Sequence, residues 1–118
     1  MTAERFNGWR NSETWLVSLN LDNDRETYGY WRERARHWQA QAKQLPQVLS
    51  GCWPREDAAR FKLADELEES VLHESPHLEP PLYADLLNAA MCQVDWNEIA
   101  GAWLDELRQD ERAEGSHE

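Results

Sequence analysis

A chain of 118 residues, 41% hydrophobic and 30% charged, has enough apolar surface to close one core and too little length for two. Its formal charge of −11 is unevenly spread: residues 1–62 carry ten Lys/Arg against eight Asp/Glu, whereas residues 63–118 carry two against fifteen. A surface of that sign repels nucleic acid and anionic membranes and attracts basic partners, so direct nucleic-acid and membrane binding are set aside from the start.

The first helix is predicted to begin near Ser12 or Glu13, capped by Asn11 or Ser12, with Trp15, Leu16 and Leu19 at helical spacing and an end by about Asp22. Asn23 and Glu26 have the spacing of a capping box for the second helix. Along it, Tyr28, Trp31, Ala35, Trp38, Ala42 and Leu45 form one stripe, with Gly29 beside it as a point of close crossing and Arg25, Arg32, Arg34, Arg36 and Lys43 on the outer face. Pro46 and Ser50-Gly51 break the pattern. Pro54 suits the first turn of a third helix whose early acids are Glu56 and Asp57 and whose inward stripe is Phe61, Ala64, Leu67 and Val71. His73 to Pro81 holds three prolines and reads as a linker. Leu82, Leu86 and Ala90, with Tyr83 or Leu87, mark the fourth helix. Asp95 and Glu98 make a second capping-box spacing before the fifth, which Trp96, Ile99, Ala100, Trp103 and Leu107 line, with Gly115 past its end. The fold class is therefore all-α: a compact single-domain bundle of about five helices over residues 1–109, followed by a flexible, disordered acidic tail over 110–118.

Cys52 and Cys92 belong to no paired motif, so they are expected to be free and buried as small apolar residues in a reducing cytoplasm. The N-terminal stretch lacks the apolar run of a secretion signal, and no eighteen consecutive apolar residues occur.

The run NGWRNSETWLVSLNLDND from Asn7 to Asp24, followed by YGYWRERA, resembles a family of small uncharacterised proteins encoded by bacteriophages, archaeal viruses and plasmids. The stretch YADLLNAAMCQVDWNEIAGAWLDE is similar to the end of that family, so the resemblance covers most of the chain apart from Gln39 to Ser75. Members often have an aromatic residue where this chain has Ser12 and Trp where it has Asn20, which implies different packing of the first helix. The resemblance implies a mobile-element setting, hence a host cytoplasm, and no mechanism.

Candidate chemistry is sparse. Glu13, Asp22, Asp24 and Glu26 cluster carboxylates in sequence, as a divalent metal or an acid/base pair would need, and a small metal-dependent enzyme built on them is the third reading; but capping accounts for Asp24 and Glu26, and Asp22-Asn23-Asp24 lacks the glycine and terminal glutamate of a calcium loop. His73 and His77 are four apart with Ser75-Pro76 between them, which opposes a shared helix face and favours surface loop histidines. No nucleophilic triad or phosphate loop stands out, so the expectation is a non-enzymatic chain with no cofactor and no metal.

Two binding surfaces remain as candidates. One is acidic: Asp65, Glu66 and Glu69 on the third helix with Glu98, Asp105 and Glu106 on the fifth, offered as a nucleic-acid-mimicking ridge to the basic groove of a host nucleic-acid-binding defence protein, of the anti-CRISPR or anti-restriction kind. Against it stand an acidic coat that only confers solubility, and neutralisation by the arginines of the second helix, within one chain or across a homodimer. The other surface is aromatic, built on Trp9, Arg10 and Trp53 as an adaptor; each Trp lies off every helical stripe and is read either as a lid on the core or as an interface anchor.

Overall fold

The structure, a computed structural model, describes residues 5–115 and their side chains through Arg112. It is an all-α bundle of six helices: α1 (Ser12–Asn23), α2 (Arg25–Gln41), α3 (Pro46–Leu49), α4 (Arg55–His73), α5 (Pro81–Met91) and α6 (Trp96–Gly115), with a 3-10 turn at Ala42–Gln44. The helix beyond the expected five is α3, one turn opened by Pro46, whose missing N–H costs nothing in a first turn. The start of the expected tail is helical as well. α6 continues to Gly115, and Asp110 is ion-paired with Arg32; residues 116–118 of that tail lie outside the described residues.

Helices α2, α4 and α6 pack on one another, α4 against both of the others. Helix α4 runs antiparallel to α6: Arg60 sits 3.7 Å from where a methyl on Gly101 would stand, Ala64 shares a cleft with Trp96, and Ala59 shares one with Leu104. Contact on two sides explains why its buried set is Ala58, Ala59, Leu63, Ala64 and Leu67 rather than a single narrow stripe; the expected Phe61 and Val71 lie at the margins, half-buried. Alanines 35, 42, 58, 64 and 100 are all buried, so small side chains stand where helices cross, while Trp31, Leu63, Leu67, Ile99, Trp103 and Leu107 fill the spaces between. Each fully buried Leu or Ile contributes about 1.5–3 kcal/mol of transfer free energy.

The second helix departs from its sequence reading in two ways. Its N-cap is Asp24, whose carboxylate accepts from the backbone N–H groups of Glu26 (2.9 Å) and Thr27 (3.3 Å); α1 runs on through Asn23, so one residue ends a helix and starts the next. Nor does Gly29 mark a close crossing, since a Cβ there would meet nothing within 4 Å.

The face of α1 is also rotated from expectation. Thr14, Ser18 and Leu21 are buried, Trp15 and Leu19 are half-buried, and Leu16 is exposed. Apolar residues at 15, 16, 17, 19 and 21 are spread around the helix, so hydrophobicity leaves its orientation open. A polar contact sets it instead. The fully buried Thr14 hydroxyl accepts from the backbone N–H of Asp95 at 2.9 Å and donates to Asn11 Oδ1 at 2.6 Å. Asn11 in turn caps α1 through the Thr14 N–H (2.9 Å) and donates its amide to the Gln93 carbonyl at 2.6 Å. Two segments some eighty residues apart thus form one clasp where α6 begins.

Both cysteines are exposed rather than buried, because Cys52 lies in the turn after α3 and Cys92 caps the end of α5, neither on a packed helical face. Among the described residues no helix is long and apolar enough to cross a membrane.

Candidate functional site

The six acids proposed as one ridge separate into two groups. Three turn toward cations or amides of their own chain. Glu66 accepts from Nε and Nη2 of Arg34, the latter at 2.7 Å, and from the Trp38 indole N–H at 3.1 Å. Glu106 accepts from the Tyr28 hydroxyl and from Arg32 at 3.3 Å, and Arg32 continues to Asp110. Glu98 accepts from Arg5 and from the Arg10 backbone N–H at 2.8 Å.

These contacts follow from helix geometry. Arg32 and Arg34 stand on either side of the buried Trp31–Ala35 stripe, so their stems run along apolar surface and their guanidiniums reach α6 and α4 respectively. They are therefore not an outward basic face. Intramolecular neutralisation by the second helix accounts for Glu66 and Glu106, and the N-terminal segment accounts for Glu98.

The second group faces solvent. Asp65 and Glu69 are exposed on α4, with Glu68 beside them, and none of the three has an ion-pair partner among the described residues. Asp105, exposed on α6, has only its local neighbour Arg108 at 3.2 Å. Asp65 and Glu68 open onto a cleft shared with Arg10, Cys92, Asp95 and Asn97. Arg10 is its one cation; 70% exposed, it reaches Asp95 at 3.3 Å. From Leu63 to Leu107 the sequence has no Lys or Arg at all.

The aromatic candidates are half-buried lids. Trp9 closes a tight reverse turn in which Phe6 and Trp9 exchange backbone hydrogen bonds of 2.7 and 2.8 Å, with Asn7 and Gly8 at φ 48° and 88°. Asn-Gly is the dipeptide that tolerates two successive positive φ values. Trp53 packs edge-on against Phe61 with centroids 5.3 Å apart. Both lie against the core, and Arg10 alone of that trio is exposed.

The acids near α1 do not converge: Asp24 is committed as a cap, Glu13 accepts from Ser12 at 3.2 Å, and no three His, Cys, Asp or Glu come together as a metal set among the described residues. Asp22 is pushed above the usual carboxylate value by burial and by the negative charge of Glu106. His73 ends α4 and His77 stands beside Glu79 in the linker, both exposed.

Sequence reading found Asn11 as the cap of α1 and missed its clasp partners Arg5, Thr14 and Gln93. The Asp95–Glu98 spacing was a usable signal for only half of it. Asp95 does cap Glu98 N–H at 3.0 Å, but Glu98, instead of bonding back to Asp95, serves Arg5 and Arg10 while Thr14 takes the Asp95 N–H.

Glu66 yields a pH prediction. Hydrogen bonds from Arg34, and secondarily from Trp38, hold its carboxyl below the ordinary 4.5 despite burial. Between that value and the lower folded value the unfolded chain binds more protons, so the contribution of Glu66 is complete above about pH 4.5 and fades as pH falls through the folded pKa. Asp22 acts in the opposite sense, and comparison of wild type with Glu66→Gln cancels it. The stability advantage of wild type, measured by urea melts from pH 7 to pH 3, is expected to shrink across that window; an advantage constant with pH contradicts the assignment.

No family profile, curated protein or solved structure matches the chain.

Proposed function

We propose that this chain is a non-enzymatic partner-binding protein whose acidic half engages a basic protein surface, one that otherwise holds nucleic acid. The observation that supports it is the pairing of an arginine- and lysine-free stretch from Leu63 to Leu107 with the exposed, unpaired carboxylates of Asp65, Glu68 and Glu69 on α4. Carboxylates a helical turn apart stand about 5–6 Å from one another, and a row of them offers Lys and Arg the charge-assisted hydrogen bonds that phosphates offer. The surface is smaller than the ridge expected from sequence, because Glu66, Glu98 and Glu106 are held by Arg34, Arg5 and Arg32. The sharper form of the proposal is inhibition of a host defence nuclease or surveillance complex, of the anti-CRISPR or anti-restriction kind; the resemblance of both ends of the chain to phage and plasmid proteins motivates it.

The test is capture of a nucleic-acid-binding protein from host lysate by the immobilised chain, followed by elution with a short DNA duplex. Elution by duplex, release as salt rises from about 0.05 to about 0.3 M, and loss of capture in Asp65→Lys/Glu68→Lys/Glu69→Lys are the expected results. Capture that survives the triple reversal with its salt dependence intact contradicts the proposal.

A further inference from the structure

The helix α5 is the least satisfied element of the fold. Its sequence, PLYADLLNAAM, places Leu82, Leu86, Ala90, Tyr83, Leu87 and Met91 on one contiguous arc of about half the helix circumference, with Asp85 and Asn88 opposite. Such an arc ordinarily faces a core. Here no residue of α5 is buried, and Leu82, Tyr83 and Leu86 are 60%, 53% and 59% exposed. Met91, at one edge of the arc, packs against the core and lines with Asn88 a cleft that Glu68, Leu72, Val94 and Trp96 share, while Leu87 and Ala90 are half-buried. No other helix packs along α5. Leu82, Tyr83 and Leu86 are thus left to solvent.

Its surroundings are mainly acidic: Glu68 in that cleft, Glu74 after α4, Glu79 in the linker and Asp85 on α5 are all exposed, no Lys or Arg occurs from Leu63 to Leu107, and Arg10 stands beyond Glu68 in the neighbouring cleft. A second copy would bring a like-charged rim against this one, and an anionic surface would be repelled. The complement of an apolar strip within a carboxylate rim is an apolar strip flanked by Lys and Arg.

We propose that the face formed by Leu82, Tyr83 and Leu86 of α5 docks a basic amphipathic helix of the partner protein. This rests on the reading of the acidic half as a partner-binding surface and specifies what it binds. The apolar stripe of that helix covers the α5 leucines and Tyr83, with anchors at i, i+3/i+4 and i+7, while its flanking cations meet the surrounding carboxylates. Burial supplies the affinity, and the rim supplies the on-rate and the choice of partner.

Three probes test this: a synthetic peptide with Leu at i, i+3, i+4 and i+7 and Lys elsewhere, a scrambled peptide of the same composition, and an oligolysine of equal charge. Affinity is read by fluorescence anisotropy and peptide helicity by circular dichroism. The striped peptide is expected to bind, gain helicity, and bind roughly tenfold or more tightly than either control. Leu82→Ser/Leu86→Ser is expected to remove that advantage without lowering the melting temperature, since both side chains are already exposed, and Leu86→Lys does the same with a single change. Equal binding of striped and scrambled peptides, or indifference to both α5 variants, overturns the docking proposal. If oligolysine binding still falls in Asp65→Lys/Glu68→Lys/Glu69→Lys, the acidic reading stands without it. Sedimentation showing a dimer that the α5 variants dissociate also overturns the proposal, by making the occupant a second copy.

Discussion

Trp31→Ala is expected to remove about 4 kcal/mol of folding free energy, within the range of about 3–5 kcal/mol found when buried aromatics are truncated to alanine. Trp31 is 3% exposed, and the only other buried residue of α2 is Ala35, so no large neighbour on the same helix can fall into the vacated space. The buried neighbours on the other helices are close-packed in the same core, which leaves a cavity rather than a collapse. Since small domains have a total stability of about 5–15 kcal/mol, the variant stands near its unfolding threshold at room temperature. Urea unfolding at unchanged m-value, with the midpoint moved down, is the measurement; Trp31→Phe is expected to lose less, because its ring refills part of the space. A loss below about 1 kcal/mol in the alanine variant contradicts the placement of Trp31 at the centre of the bundle.

Thr14→Val is expected to cost about 2 kcal/mol although it changes almost no volume. The substitution leaves the Asp95 N–H without its acceptor and removes a donor from Asn11, and an unsatisfied buried group costs about 1–3 kcal/mol. Thr14→Ser keeps the hydroxyl and is expected to retain most of the stability. A readout specific to the clasp is amide hydrogen exchange at the start of α6: protection of Asp95 is expected to fall sharply in the valine variant and little in the serine one. Equal stability of valine and threonine forms contradicts the clasp. Asn11→Ala acts on the same network, so its cost and that of Thr14→Val are expected to add to more than the double variant shows.

These two residues illustrate how unevenly the sequence reports the fold. Trp31 was legible because its stripe repeats at helical spacing over four turns and its neighbours are apolar. Thr14 was not, because a buried threonine looks like any polar helix residue until the partner more than eighty positions away is in place. The same distinction separates the acids. Glu66 and Glu69 are indistinguishable in sequence as members of an acidic run, and one helical turn places them on neighbouring positions of α4, yet Glu66 meets Arg34 and Trp38 of α2 whereas Glu69, a turn further on, meets solvent. The half of the acidic surface that remains available is thus a property of helix packing.

α5 shows the converse case. Its periodicity marked it correctly as a helix, and periodicity carries no information on whether an apolar arc is covered by its own chain. The structure leaves it uncovered, so a pattern expected to build the core supplies a docking face.

The sequence by itself determined the all-α class, the start of every long helix to within a residue or two, and the concentration of negative charge after residue 62, because local periodicity, caps and composition act within a few residues of their cause; the ends of α2 at Gln41 and of α6 at Gly115 departed further from expectation. Tertiary structure alone decided which carboxylates are spent on Arg5, Arg32 and Arg34, which way α1 faces, and that α5 stands outside the core, because each depends on distances between residues far apart in the chain.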